Sequence, residues 1–306
     1  MIMGSKSAWA IAFCAVLSVS ASPTLRTRQS VTPLSQAQID EYTLPYAYFA
    51  AAAYCEPATT SAWNCGTNCG NTSDFVTTAT GGNGDDIQFW FVGYSPSLSS
   101  VIVAHQGTDP DSLESLLVDG DVSRGELDSD LFPGLDNEIH VHHGFRDSHA
   151  AVAQDVLAAV NLTIQAHGVS DVVLVGHSLG SALSLIDSVY LPLHLPEANF
   201  RYIGFALPRV GNQEFADYVD STMSGKIVHI TNKDDLVPII PGRGLGYHHP
   251  SGEVHITDDD VWNACPGQDS EADGCTIDDV PNVLVGDVGD HKGPYNGVII
   301  SSSTCS

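Results

Sequence analysis

The pentapeptide Gly176-His177-Ser178-Leu179-Gly180 constrains this chain more than any other feature, because of what stands on either side of it. Before it run Val172, Val173, Leu174 and Val175, an unbroken apolar stretch of the length of a buried strand. After it comes a helical pattern to Leu191, with Pro192 as its expected stop. Gly-x-Ser-x-Gly between strand and helix is the sequence of a nucleophile elbow. The turn is too tight for a Cβ at position 176 or 180, and the serine takes a strained conformation that projects its Oγ out of the sheet. Ala182 and Ser184 are small enough for the helix to lie close on the strands.

The surrounding pattern agrees with such a sheet. Residues 87–94 and 101–105 are rich in β-branched and aromatic side chains and read as strands. From 145 to 167 the period changes: Phe145, His149, Val152, Val156, Val160 and Ile164 recur every three or four residues, which predicts one amphipathic helix. Residues 201–206, 211–223 and 226–231 continue as strand, helix, strand. Such alternation predicts an α/β fold, a mostly parallel central sheet with helices on both faces. No repeat, heptad pattern or low-complexity linker appears, so residues 30–306 are expected to form a single domain.

A serine hydroxyl needs a base, and the base needs a carboxylate to fix its tautomer. The histidines after Ser178 are His194, His229, His248, His249, His255 and His291. His194 falls in the helical region, and His229 and His255 fall in strands. His291 lies in a Gly-Asp-His-Lys-Gly-Pro loop near the C-terminus, where the chain order Ser, Asp, His puts the base. Asp235 and its neighbour Asp234 both follow the strand ending at Thr231, and the residues alone do not separate them. The N–H of Leu179 supplies one oxyanion donor, and a loop after an earlier strand must supply the other.

The ends, the cysteines and the charge set the setting. Lys6, the apolar run 8–19 and small residues through Ala21 predict a secretory signal over 1–21, with 22–29, carrying Arg26 and Arg28, as a short pro-segment. That run is shorter than a membrane span, so no transmembrane anchor is expected and the protein is read as secreted and extracellular. Of 7 cysteines, Cys14 lies in the signal. The six others form an even set, which after an export signal reads as disulfides. Cys65 and Cys69 are close in sequence, as are Cys265 and Cys275, which leaves Cys55 with Cys305. Asn71 and Asn161 head glycosylation sequons. With 11 Lys plus Arg against 37 Asp plus Glu, the net charge of −26 repels phosphate backbones, which excludes a nucleic-acid partner.

Several ordered motifs together carry a resemblance: Gly107-Thr108 after a strand, Val141-His142-His143-Gly144-Phe145, the pentapeptide, Pro208-Arg209-Val210-Gly211-Asn212, Asp235-Leu236-Val237-Pro238 and Asp290-His291. From about Tyr42 to Cys305 the chain resembles the secreted fungal class 3 lipases, a family that also contains feruloyl esterases. The resemblance implies the α/β-hydrolase fold, Ser178 as nucleophile, Asp235 as triad acid, His291 as base, and Thr108 with Leu179 as the oxyanion hole. It implies the same pairings Cys55–Cys305, Cys65–Cys69 and Cys265–Cys275, and it makes His142 a buried structural histidine and Arg209 a structural hydrogen-bonding residue. Just upstream of the hole the sequence departs from the family, with His105-Gln106 where an aromatic residue and Arg are common. Asp109 as N-cap, Pro110 at the first helical position and Leu113, Leu116 and Leu117 on one face resemble the family's short lid helix.

The implied activity is hydrolysis of carboxylic esters, with acylglycerols as substrate and feruloyl or other small esters as the alternative. A neutral ester presented at a lipid–water interface is the expected partner. The protein is expected to act as a monomer without cofactor. A metal site built on His140, His142 and His143 fits no common zinc spacing. A peptidase would use the same triad, but no peptide-binding signature accompanies it.

Overall fold

Continuous apolar runs make strands that must be covered on both sides, and the sheet is built around two of them. In the computed structural model, which describes Met1 and residues 30–108 and 122–305, the strands are β1 (Thr32–Pro33), β2 (Val76–Gly81), β3 (Trp90–Ser95), β4 (Ser100–His105), β5 (Arg124–Glu126), β6 (His140–His142), β7 (Asp171–His177), β8 (Asn199–Phe205), β9 (Ile227–Asn232), β10 (Glu253–Ile256) and β11 (Trp262–Ala264). The 9-stranded sheet of the described residues runs β1-β11-β10-β9-β8-β7-β4-β3-β2, with β5 and β6 paired apart from it. Strands β4, β7, β8, β9 and β10 run parallel to one another, and antiparallel pairs close both edges. The expected segments 1–21 and 22–29 and the expected lid residues Leu113, Leu116 and Leu117 lie outside the described residues.

Because side chains alternate along a strand, the same two strands feed two cores. Val101, Val103, Val172 and Leu174 enter one, beneath the helices Ala153–His167, Leu179–His194 and Gln213–Thr222. Ile102, Ala104, Val173 and Val175 enter the other, beneath the alanine-rich helix Tyr46–Ala52. The α/β-hydrolase arrangement is thus a mixed sheet with helices on both faces. The three disulfides join Cys55 to Cys305, Cys65 to Cys69 and Cys265 to Cys275. Asn71 and Asn161 are exposed.

Three local expectations change. The single helix over 145–167 is two, His143–Ala150 and Ala153–His167, broken at Val152. The break lets Phe145, His149, Val152, Val156 and Val160 all stay buried. Pro192 does not end its helix, which reaches His194: proline's missing N–H falls in the last turn, and Leu195 N still donates to Leu191 O at 2.8 Å. The strand expected over 87–94 starts only at Trp90, because Ile87 is spent in a turn in which Asn83 Oδ1 accepts its N–H at 3.0 Å.

A buried ionic cluster lies where β4, the helix Leu179–His194 and the helix His143–Ala150 meet. Asp187 accepts from His105 Nε2 at 2.7 Å and from His149 Nε2 at 2.9 Å. Burial pushes the Asp187 carboxyl up, but the charge and hydrogen bonds of His105 and His149 together outweigh it and hold the group at about 2. This folded-state value lies below the ordinary 3.8. The contribution is therefore full above 3.8 and is lost as pH falls towards 2. A shift of that size corresponds to about 2 kcal/mol. Chemical denaturation at a series of pH values should show the wild type losing stability in acid more steeply than Asp187→Leu; parallel acid limbs would contradict this.

Candidate active site

Ser178 sits between β7 and the helix Leu179–His194 with φ 58° and ψ −130°, a left-handed conformation that a non-glycine residue adopts only under constraint. The constraint is visible on both sides. A Cβ on Gly176 would overlap the Gly180 carbonyl, and a Cβ on Gly180 would overlap that of His105. The elbow therefore closes on itself and on the end of β4, and Ser178 is held at 1% exposure.

The other two expected triad members meet as a pair. His291 Nδ1 lies 2.9 Å from Asp235 Oδ2, and both side chains are 1% exposed. The second oxygen of Asp235 accepts the Val237 N–H at 3.0 Å, which fixes the carboxylate plane. With Nδ1 committed to the carboxylate, Nε2 of His291 is buried and has no partner. Asp234, the rival, turns away: it is half-buried with Thr257, Asp258, Asp259 and Asp279 around one shallow pocket. Burial, then the charges of Asp258 and Asp279, raise its carboxyl above the ordinary value.

Further hydrogen bonds tie His291 to the elbow. His177, the residue before Ser178, places Nε2 2.7 Å from the His291 carbonyl, and Tyr295 Oη donates to the same oxygen at 3.1 Å. The carbonyl can only accept, so His177 carries its proton on Nε2 and takes the Tyr54 hydroxyl proton on Nδ1, at 2.7 Å. Burial, and after it the nearby His291, push His177 well below the usual imidazole range, so it stays neutral. Asn232 Nδ2 adds a bond of 2.8 Å to the Asp290 carbonyl. The residues alone gave no sign of Tyr54 or Tyr295. The position of His177 inside the pentapeptide was the available signal.

Thr108, Ser178 and Leu179 line one cleft of about 670 Å³. Leu179 is the first residue of its helix, where the N–H has no intrahelical acceptor and is available to an oxyanion. The unusual His105-Gln106 pair is built into the support of this corner. Gln106 exchanges two bonds with Phe89, its Oε1 accepting the Phe89 N–H and its own N–H reaching the Phe89 carbonyl, each at 2.8 Å. The rest of the cleft is divided chemically: Gln88, His142, His143, Asp147 and Ser148 are polar, while Pro208, Val237, Ile240, Pro241 and Leu245 are apolar. His142 differs from expectation. It is half-buried and lines the cleft, because its ring lies tilted against Phe145 at 4.4 Å and its Nδ1 accepts the Gly144 N–H at 3.1 Å instead of entering the core. Arg209 is structural as expected, pairing with Asp269 at 2.7 Å and reaching the carbonyls of Ile239 and Pro241. Among the described residues, the one group of potential metal ligands is Glu253 with Cys265 and Cys275, whose sulfurs are joined in a disulfide.

The class 3 lipase family model matches residues 102–245, from β4 past Asp235. A secreted mono- and diacylglycerol lipase of Malassezia globosa (MDL3) is 33% identical over 261 residues, covering 84% of this chain and 81% of the relative. The chain belongs to the class 3 lipase family. A second Malassezia globosa relative, the secreted mono- and diacylglycerol lipase MDL2, is 35% identical over 179 residues, a match spanning 58% of this chain and only 59% of that relative's length. Among solved structures, Rhizomucor miehei triacylglyceride lipase superposes with a TM-score of 0.76 at 26% identity, over 90% of this chain and 100% of that one.

Proposed function

We propose that this chain is an exported serine carboxylic ester hydrolase that cleaves acylglycerols through an acyl-enzyme on Ser178. The observation that carries the reading is the state of His291: Nδ1 held by Asp235, Nε2 unspent, and its carbonyl tethered to the residue before Ser178. In the proposed cycle Ser178 Oγ attacks the ester carbonyl while His291 Nε2 takes its proton. Asp235 stabilises the imidazolium, and the N–H groups of Thr108 and Leu179 receive the developing oxyanion. The imidazolium then protonates the leaving alcohol, and a water activated by the same nitrogen releases the acid.

Acylglycerols are favoured by the Malassezia relatives, which are named mono- and diacylglycerol lipases, and by the apolar half of the cleft. Export is supported by the signal-like N-terminus and by relatives named as secreted; no helix of the described residues is long and apolar enough to cross a membrane. Thr108 and Val122, which bracket the segment containing Leu113, Leu116 and Leu117, both line the cleft. Exposing those leucines in water would cost roughly 1.5 to 3 kcal/mol each, and an oil surface removes that cost. Rate measured against concentration of a short-chain ester is therefore expected to rise beyond its solubility limit, with diacylglycerol preferred over methyl ferulate. A plain hyperbola together with higher kcat/KM for ferulate would transfer the assignment to a feruloyl-type esterase.

A further inference from the structure

One residue of β4 is fastened to the helix that follows the nucleophile at two places. The backbone carbonyl of His105 lies against Gly180, where a Cβ would overlap it. Its imidazole reaches Asp187 at 2.7 Å. Gly180 and Asp187 are seven residues apart, about two turns, and so share one face of the helix. Asp187 has a second tie, to His149 at 2.9 Å, on the helix His143–Ala150. Each element joined in this way delivers part of the cleft. β4 leads within three residues to Thr108, the helix carrying Asp187 begins at Leu179, and Gly144, Phe145, Asp147 and Ser148 of the helix His143–Ala150 form wall.

Asp187 is fully buried, and both imidazoles are 1% exposed. Nδ1 of His105 and of His149 are buried without partners, so the only side-chain hydrogen bond of each ring is the one its Nε2–H donates to the carboxylate. Apolar side chains of similar volume would fill this space at least as stably, since a buried ionic cluster is weak as a source of stability. What the cluster adds is direction: two hydrogen bonds that fix where two elements stand relative to a third.

We propose that Asp187, acting through His105 and His149, is a positioning residue that sets the separation of the oxyanion donors Thr108 and Leu179. The proposal rests on the ester-hydrolase reading above. Donors must meet the oxyanion, and not the ground-state carbonyl oxygen, at hydrogen-bond distance, so a displaced β4 end weakens the transition state more than substrate binding.

The test compares His105→Phe, His105→Gln and Asp187→Asn with the wild type, at a temperature where circular dichroism shows each one folded. A soluble short-chain ester gives kcat and KM, and an alkyl boronic acid, which forms a tetrahedral adduct with the serine, gives an inhibition constant. His105→Phe and Asp187→Asn are expected to lower kcat about 10- to 100-fold, somewhat less than outright loss of a donor, with KM changed by under about threefold. Boronate affinity should fall by the same factor. His105→Gln keeps an N–H at similar reach and should recover most of both. If Asp187→Asn does not fold, the His105→Phe and His105→Gln pair decides. A folded His105→Phe with wild-type kcat and boronate affinity, and only a lowered melting temperature, would overturn the proposal and leave a merely structural cluster. Failure of the wild type to hydrolyse any ester would overturn the underlying reading instead.

Discussion

Ser178→Ala and His291→Ala are each expected to lower kcat by about four to six orders of magnitude while the protein stays folded, because triad members act as a unit. His291→Ala removes the bond to Asp235, whose other oxygen keeps the Val237 N–H, and leaves the tie to His177, which uses the backbone carbonyl of His291 and not its ring. The two carboxylates should separate sharply. Asp235→Asn places an amide against His291 Nδ1 and favours the wrong tautomer, a change worth about four orders of magnitude in kcat in a triad of this kind. Asp234→Asn relieves repulsion from Asp258 and Asp279 and touches neither His291 nor Ser178, so it should change kcat by less than about threefold. Initial rates with a soluble ester check all four variants. A large loss in Asp234→Asn with little in Asp235→Asn would reverse the assignment.

The second large effect concerns stability. Cys55 and Cys305 are separated by 250 positions, and Asn68 adds bonds of 3.1 and 2.9 Å to Thr304 beside the bridge. In the chain-entropy picture, closing a loop of that length restrains the unfolded chain by about 5 kcal/mol, against roughly 2 kcal/mol for the Cys65–Cys69 loop. The double variant Cys55→Ala/Cys305→Ala should therefore lose most of its resistance to denaturant, and Cys65→Ala/Cys69→Ala much less. Equal losses in the two variants would show that native-state contacts, and not the length of the closed loop, decide the contribution of each bridge.

Much of this was legible from the residues because the features involved are local. The elbow needs two glycines at fixed spacing, and steric overlap at Gly176 and Gly180 is the physical reason they are there. The strand pattern of 101–105 and 172–175 was readable because both faces are buried. What was not legible depends on contacts between distant positions. Asp187 stands in an apolar helix, and only the fold brings His105 and His149, from 82 and 38 positions away, to its two oxygens. Asp234 and Asp235 are adjacent in sequence and differ only in which way the chain turns after β9. His142 kept its place in the motif but not its expected burial, since a contact with Phe145 drew it to the cleft instead. The helix over 145–167 read as one because a kink that preserves the apolar stripe leaves the periodicity unbroken.

Covalent labelling tests whether Ser178 is the nucleophile and His291 its base. The intact protein is treated with an alkyl phosphonate ester, a reagent that traps an activated serine, and then mapped by peptide mass spectrometry. One adduct is expected, on the peptide containing Ser178, absent from Ser178→Ala and strongly slowed in His291→Ala. An adduct on any other residue, or full ester hydrolysis by the folded Ser178→Ala protein, would contradict it.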